Sequence, residues 1–364
     1  MTKSISTYAW LPATVPKLRV GYWAAAEQHN PELLIQYAKE AEVVGFDMIA
    51  VSDHFSPWRD KEGQAGFPWV WLAAAASQTR STEVGTAVTT PTSRYHPAIV
   101  AQAFATLDYL FPGRIFITLG TGHKMNEAPL GFDWPKASER IARLEEAVEI
   151  IQLLWKGDFV NYTGKYYKLT NAKLYTPPKK KIPLYIATAN ARVAAIAGWL
   201  GDGILTNPRG LENHIAILKA MQDAAVAAGK DPSKLGTCLE FKVSYDVDYD
   251  RAFKSASYWA PTVIPKDVRE NISDPRELEA NVGPNELEGI KKTWLITDDS
   301  DDIIRRLGEF LKMGFNRVYI HSASPNEHKF LHLIGRDILP WMKEYYESLT
   351  DVERMTLPLR TTPD

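Results

Sequence analysis

Two periods alternate along the chain: short runs dense in branched and aromatic residues, and longer stretches in which apolar residues return every three or four positions. Residues 18–22 read as a strand. Asn30-Pro31-Glu32 is a helix start. Asn can accept from an uncapped N–H, Pro needs no donor in the first turn, and an acid suits the positive end of the helix dipole. The spacing predicts a helix over 33–44 that ends at Gly45, then a buried strand at 48–51. The pattern recurs as strand 83–88, helix 97–109, strand 114–119 and amphipathic helix 137–155. Further on come strands at 183–187, 203–205, 238–247 and 316–321, with helices over 192–200, 212–228 and 331–349.

Strands alternating with helices of this length imply βαβ units and a parallel sheet. About eight strands favour a closed, single (β/α)8 TIM barrel in the α/β class over an open sheet. No G-x-G-x-x-G follows the first strand, which speaks against a dinucleotide-binding fold. Two segments interrupt the alternation. Residues 157–181 hold β-formers on either side of Thr163-Gly164 and end in Pro-Pro-Lys, a hairpin insertion plus a loop. Residues 257–295, Pro-containing with interleaved charges, read as an irregular insertion. Residues 1–17 then form an N-terminal arm, whose Tyr8 and Trp10 can pack on the barrel bottom or a partner subunit. The barrel occupies 18–349, and 350–364 form a C-terminal tail.

Composition narrows the function. The 364 residues carry a net charge of −2, with 45% hydrophobic and 11% aromatic residues, which is ordinary globular usage. That balance lacks the clustered positive charge of a nucleic-acid binder. The longest wholly apolar stretch, Trp69–Ala76, falls far short of the ~18 residues that span a bilayer. The N-terminus has no continuous apolar core of a secretory signal. A single cysteine, Cys238, allows no internal disulfide and no cysteine-based zinc site, which points to a reducing, cytoplasmic setting.

In a barrel of this kind, reactive groups lie where strands end at the C-terminal face. Asp53-His54 ends the second strand among Phe55, Trp58, Phe67, Trp69 and Trp71, a setting for a general base. The fourth strand ends in Gly120-Thr121-Gly122-His123, with Asn126 close behind; its glycines permit close approach of backbone to a flat or anionic ligand. The third strand ends in hydroxyls and tight backbone over 85–92, including Thr90. Glu27 follows the first strand, Arg209 the sixth, and His321 ends the last. His29, His96, His214, His328 and His332 read as helix or loop residues with no partner in evidence. No H-E-x-x-H or paired metal spacing is present, so no metal site is expected, and there is no G-x-S-x-G elbow. These positions suit proton-coupled chemistry in an aromatic pocket. Hydride transfer fits, because a base on the substrate hydroxyl must accompany an organic cofactor that accepts the hydride.

The segments GYWAAAEQ, VSDHFSPW, GTAVTTPTSRYHPAIVAQAFATLD, PGRIFITLGTGHKMNE, PLYIA and GDGILTN resemble the luciferase-like superfamily of barrel flavoenzymes. Within it they are most similar to the branch that uses the deazaflavin coenzyme F420. The resemblance implies an F420-dependent dehydrogenase that moves hydride between a secondary alcohol or sugar hydroxyl carbon and the deazaflavin. His54 would be the base, Trp58 would stabilise developing charge, Glu27 would sit beside the substrate or His54, and Asp53 would belong to the coenzyme site. A non-proline cis peptide at Ala87-Val88 would underlie the deazaflavin. Thr90, Thr121, Gly122, Asn126, Ala187 and Thr188 match positions that line it. Three departures stand out: His123 replaces a glutamate acid, Ala189-Asn190 replaces a Gly-Gly pair in the coenzyme loop, and the phosphate clamp becomes Arg209, Arg269 and Thr293. The substrate is thus an alcohol or sugar, phosphorylated or not, and a homodimer is expected. Two other readings of the same residues are an FMN-dependent monooxygenase and a non-catalytic coenzyme-binding barrel.

Overall fold

The computed structural model describes residues 16–207 and 210–349. The N-terminal arm with Tyr8 and Trp10, apart from its last two residues, and the C-terminal tail lie outside the described residues, as does Arg209. Eight parallel strands close a barrel: β1 (Arg19–Ala24), β2 (Met48–Val51), β3 (Glu83–Thr89), β4 (Ile115–Leu119), β7 (Leu184–Ala187), β8 (Gly203–Thr206), β9 (Gly236–Tyr245) and β11 (Arg317–Ser322). The ring closes twice over in register, Gly21 of β1 against Tyr319 of β11 and Leu205 of β8 against Cys238 of β9. Helices Pro31–Val44, Pro68–Gln78, Pro97–Leu110, Ala137–Trp155, Ala191–Trp199, Leu211–Ala227 and Ser300–Lys312 pack outside. The first starts as the sequence predicts: the Asn30 side chain accepts from Leu33 N–H at 2.8 Å, and Gly45 ends it at φ 104°.

Two cores result, because each strand turns alternate residues to opposite faces. The outer core joins strands to helices through Val20, Ile49, Val84, Ile117, Ile186 and Leu239. The inner one fills the barrel with Met48, Phe116, Tyr185, Cys238 and Tyr319. Full burial of such an aromatic contributes roughly 1.5–3 kcal/mol. The rings need room, and glycine supplies it: a Cβ on Gly21 would stand 2.4 Å from Tyr319 Cδ1, and one on Gly85 2.5 Å from Phe116 Cδ2. Small and large residues thus interlock across the interior.

The hairpin of 157–181 is present as antiparallel β5 (Val160–Thr163) and β6 (Lys168–Ala172). Glu146 of the preceding helix accepts the Lys165, Tyr166 and Tyr167 N–H groups, and Tyr167 Oη donates to Pro91 O at 2.9 Å. Residues 257–295 are not irregular. They hold a 3-10 segment at Ser257–Val263 and helices Lys266–Arg269, Pro275–Ala280 and Pro284–Thr293, then β10 (Leu295–Thr297), which pairs in parallel with the far half of β9. Each of these helices is short and starts at or beside a proline, so no long apolar period announces it. The final helical stretch also begins earlier than the periodicity predicts, at Glu327, and passes through a π-helical turn at Ile334–Ile338.

Candidate active site

The C-terminal ends of β1 and β2 bring Glu27 and His54 together. Glu27 sits in the turn after β1 and is 3% exposed. Its position is secured from two sides: the Ser52 hydroxyl accepts from Ala26 N–H at 2.9 Å and donates to Glu27 Oε2, and Tyr258 Oη donates to the Glu27 carbonyl. Glu27 Oε1 lies 3.4 Å from His54 Nε2. At the other edge of the ring, Nδ1 is 3.3 Å from both the Ser56 carbonyl and Asn126 Nδ2. The carbonyl needs a proton on Nδ1 and the amide needs a lone pair there, so the tautomer decides which contact is a hydrogen bond. Asn126 Oδ1 accepts from Phe55 N–H and Ser56 N–H at 3.0 and 3.2 Å, which orients its amide and fixes the backbone beside His54.

Trp58 and His123 complete this group. Their ring centroids lie 5.5 and 5.9 Å from that of His54, and 5.2 Å from each other edge to face. His123 faces the mouth, where its surface is accessible, while protein crowds its other sides. Desolvation first, then the proximity of His54, Arg269, Arg140 and Lys242, lowers its basicity. Solvent at the mouth moderates that effect, but the sign stands: the imidazole is neutral near pH 7 and offers an N–H, not a cation. Arg269 lies with its guanidinium carbon 5.7 Å from the Trp58 ring and donates to Thr262 O.

Asp53 is not a free arm of this mouth. Its carboxylate is buried and takes the Thr89 hydroxyl at 2.6 Å, the Arg94 guanidinium at 2.6 Å and the Tyr95 hydroxyl at 3.2 Å. Arg94 also donates to the Asp53 carbonyl, takes Glu127 Oε1 at 3.6 Å and sits 4.7 Å above the Tyr95 ring, while its own N–H donates to Glu127 Oε2. Burial raises the Glu127 carboxyl's pKa even though Arg94 opposes it. This clamp joins the residue before His54 to the residue after Asn126. Sequence reading placed Glu127 after the fourth strand but missed Arg94, Tyr95 and the clamp itself, since partners 33 and 41 residues apart leave no local pattern.

The Ala87–Val88 bond is cis, beside a register shift between Thr86 and Thr89. Val88 fits against Gly120, whose Cβ would stand 2.7 Å from it, and Gly122 at φ 79° leaves space for Thr90. Ala87 joins the inner core at the ends of the strands, with Val88 and Ala187 half-buried against it. Thr188 and Asn190 interlock at the start of the helix after β7, where Asn190 Oδ1 accepts from Val193 N–H at 3.0 Å with Ala189 between them. Thr293 is not brought to this group. It closes the helix Pro284–Thr293, donating to Ile290 O, and its neighbour Trp294 is the residue that turns inward.

A second histidine–carboxylate pair lies across the mouth. His321 Nδ1 stands 2.7 Å from Glu240 Oε1, with Lys242 Nζ 3.5 Å from the same oxygen. The ring stacks on Trp23 at 5.3 Å and meets Trp259 and Trp294 edge-on. Burial lowers the basicity of His321, although Glu240 counters it. Only the strand-end position of His321 hinted at this from sequence. Several histidines read as partnerless have partners: His214 Nε2 is 3.1 Å from Met313 O, His96 Nδ1 accepts from Ala98 N–H, and His328 and His332 both contact Glu40.

With this geometry in view, similarity to known proteins can be placed. Residues 17–316 match the family model described as luciferase-like monooxygenase. The chain is 39% identical over 332 residues to the F420-dependent glucose-6-phosphate dehydrogenase of Mycolicibacterium smegmatis, covering 90% of this chain and 99% of that one. It is likewise 39% identical over 330 residues to the enzyme of that name from Nocardia farcinica. Among solved structures, an F420-dependent secondary alcohol dehydrogenase in complex with an F420-acetone adduct superimposes with TM-score 0.84 at 33% identity, over 90% of this chain and 99% of that one. The F420-dependent tetrahydromethanopterin reductase of Methanopyrus kandleri, at 23% identity and TM-score 0.73, shares the fold. Among the described residues no helix is long and apolar enough to cross a membrane. The family model that spans residues 17–316 and the 39% identity along nine-tenths of the chain lead to one assignment: this protein belongs to the luciferase-like family.

Proposed function

We propose that this chain is a coenzyme F420-dependent dehydrogenase that oxidises a secondary alcohol or sugar CH–OH, with His54 as the base. The observation that carries the reading is the placement of His54 Nε2 at the mouth, 3.4 Å from a buried carboxylate and beside Trp58. In this reading the planar cofactor lies over the β3 and β7 ends at Ala87, Val88 and Ala187, with Thr90, Thr121, Gly122 and Asn126 beside it and Asp53 holding the Arg94 clamp behind them. Thr188, Ala189 and Asn190 stand at a helix N-terminus, which suits an anionic portion of the coenzyme. When bound, the deazaflavin supplies the hydride acceptor.

With Nδ1–H donated to Ser56 O, Nε2 carries the lone pair, and a substrate hydroxyl that enters beside Glu27 can donate to it. As hydride leaves the carbon, the hydroxyl proton passes to Nε2, and the product is a ketone or, from a sugar hemiacetal, a lactone. Glu27 then faces an imidazolium instead of a neutral ring, so its attraction grows as the reaction proceeds. An interaction stronger in the transition state than in the ground state is the kind that raises kcat. The Trp58 face adds to cation stabilisation. His123, neutral, donates a hydrogen bond to the developing oxyanion in place of an acid's proton. A phosphorylated substrate would draw on Arg269 together with Arg209, and phosphate there competes with the Arg269–Thr262 bond. A homodimer is part of the proposal, since the helix Pro68–Gln78 exposes Val70 and the helix Pro97–Leu110 exposes Ile99 and Leu110; sedimentation velocity at twice the 40.9 kDa chain mass supports it and a monomer mass rejects it.

The test is direct. F420 and FMN are each titrated into the purified protein, and loss of deazaflavin absorbance is followed with 2-propanol, glucose and glucose 6-phosphate. The expected result is F420 binding, reduction by at least one donor, and loss of turnover in His54→Ala with F420 affinity retained. FMN binding without F420 binding would overturn the reading. Full turnover in His54→Ala would remove the base.

A further inference from the structure

We infer that Glu40, His328 and His332 form a binding site for a divalent transition-metal ion, zinc above all, on the outer flank of the barrel. His328 and His332 stand one turn apart on the helix Glu327–Leu333, so their rings share a face. Glu40 reaches them from the helix Pro31–Val44. His328 Nδ1 is 2.6 Å and His332 Nε2 3.0 Å from Glu40 Oε1, and the three ligand atoms lie within 4.8 Å of one another. Glu40 Oε1 is buried and receives no hydrogen bond, although two ring nitrogens crowd it. Two imidazoles and a carboxylate thus converge, each offering one ligand atom toward a shared point.

The donor set selects the ion. Zinc takes nitrogen at about 2.0–2.1 Å and carboxylate oxygen at about 2.0–2.2 Å, which puts neighbouring donors of a tetrahedron roughly 3–3.5 Å apart. The two contacts to Glu40 fall at or below that range and the two ring nitrogens lie within 4.8 Å of each other, so side-chain rotation alone can open the site around an ion. Two imidazoles with one carboxylate suit zinc and its neighbours over magnesium or calcium, which prefer all-oxygen shells. Both histidine side chains are more than half exposed, 66% and 58%, which leaves the fourth position to water. The ion would tie the first helix of the barrel to its last helical stretch, beside the place where β1 pairs with β11. This is a clip between the chain's first and final β/α units, separate from the mouth that holds His54.

The experiment uses the full-length, tag-free protein, stripped with EDTA and titrated with zinc chloride in competition with a chromophoric chelator. One equivalent should bind with a micromolar or tighter dissociation constant. His328→Ala and His332→Ala should each weaken it about tenfold or more, and Glu40→Gln should weaken it as well, with circular dichroism unchanged. Turnover with F420 should stay within twofold in all three variants. Absence of saturable zinc binding, or binding that persists in the His328→Ala/His332→Ala double variant, would overturn the inference, and neither result bears on the dehydrogenase reading.

Discussion

Arg94 is the most exacting test of how the mouth is built. Its side chain is 4% exposed and stands as the single cation between two carboxylates, Asp53 and Glu127, whose side chains are fully buried. Replacing it with Met keeps most of the volume and the packing on Tyr95 but leaves two buried negative charges with no counter-charge. Removal of one partner from a buried ion pair costs about 3–5 kcal/mol, and the Asp53 carbonyl also loses a donor at 3.0 Å. The loss should appear as a lowered urea midpoint, read by tryptophan emission at pH 7.5. The pH dependence carries a sign. Burial already raises the Glu127 carboxyl's pKa while Arg94 pulls it down, so removing Arg94 raises it further. A carboxyl with a folded pKa above its unfolded one binds more protons when folded, and stability then falls as pH rises between the two values. The deficit of Arg94→Met relative to the parent should therefore be largest near pH 7.5 and narrow toward pH 5. Because the clamp holds the neighbours of both His54 and Asn126, kcat should drop as well. A deficit below about 1 kcal/mol, or one that widens on acidification, would refute the idea that Arg94 neutralises this pair.

Other consequences can be checked separately. Asn126→Ala strips the shared acceptor from the Phe55 and Ser56 N–H groups, which should cost about 1–3 kcal/mol of stability and at least tenfold in kcat. Asn126→Asp, which keeps the acceptor, should recover the stability; equal losses in both variants would contradict the assigned role. Cys238 is buried inside the barrel, and desolvation pushes its thiol up to about 12. The folded protein should therefore resist a disulfide-exchange reagent at pH 8 and react fully in urea, whereas rapid labelling of the folded form would contradict this placement.

How much of this could be read from the chain depends on distance along it. The strand at 48–51 and the helix over 137–155 are carried by local periodicity and agree with the structure to the residue. Pro31 and Pro97 mark helix starts for the same local reason. The helices between 257 and 295 escape because each is too short for an apolar stripe to repeat. In the mouth, residues next to a strand end, such as His54 and His123, are exposed to a positional argument. The support around them is not: Arg94 with Asp53, Tyr258 with Glu27, and the three tryptophans around His321 are joined only when the barrel closes. His328 and His332 correct the expectation of no paired metal spacing, since they stand four residues apart on one helix; only their carboxylate, on the first helix, leaves no local pattern.

The β5–β6 hairpin acts on the mouth from outside the barrel. Its root is fastened to the helix Ala137–Trp155 by Glu146 and by the Tyr162–Glu149 bond, and its Tyr167 hydroxyl ends on the Pro91 carbonyl. Pro91 directly follows Thr90 and stands three residues ahead of Arg94. An appendage that looks ornamental therefore works as an outrigger for the loop that carries Thr90 and Arg94. Trimming or lengthening it would retune how firmly that loop is held without altering a residue of the loop itself.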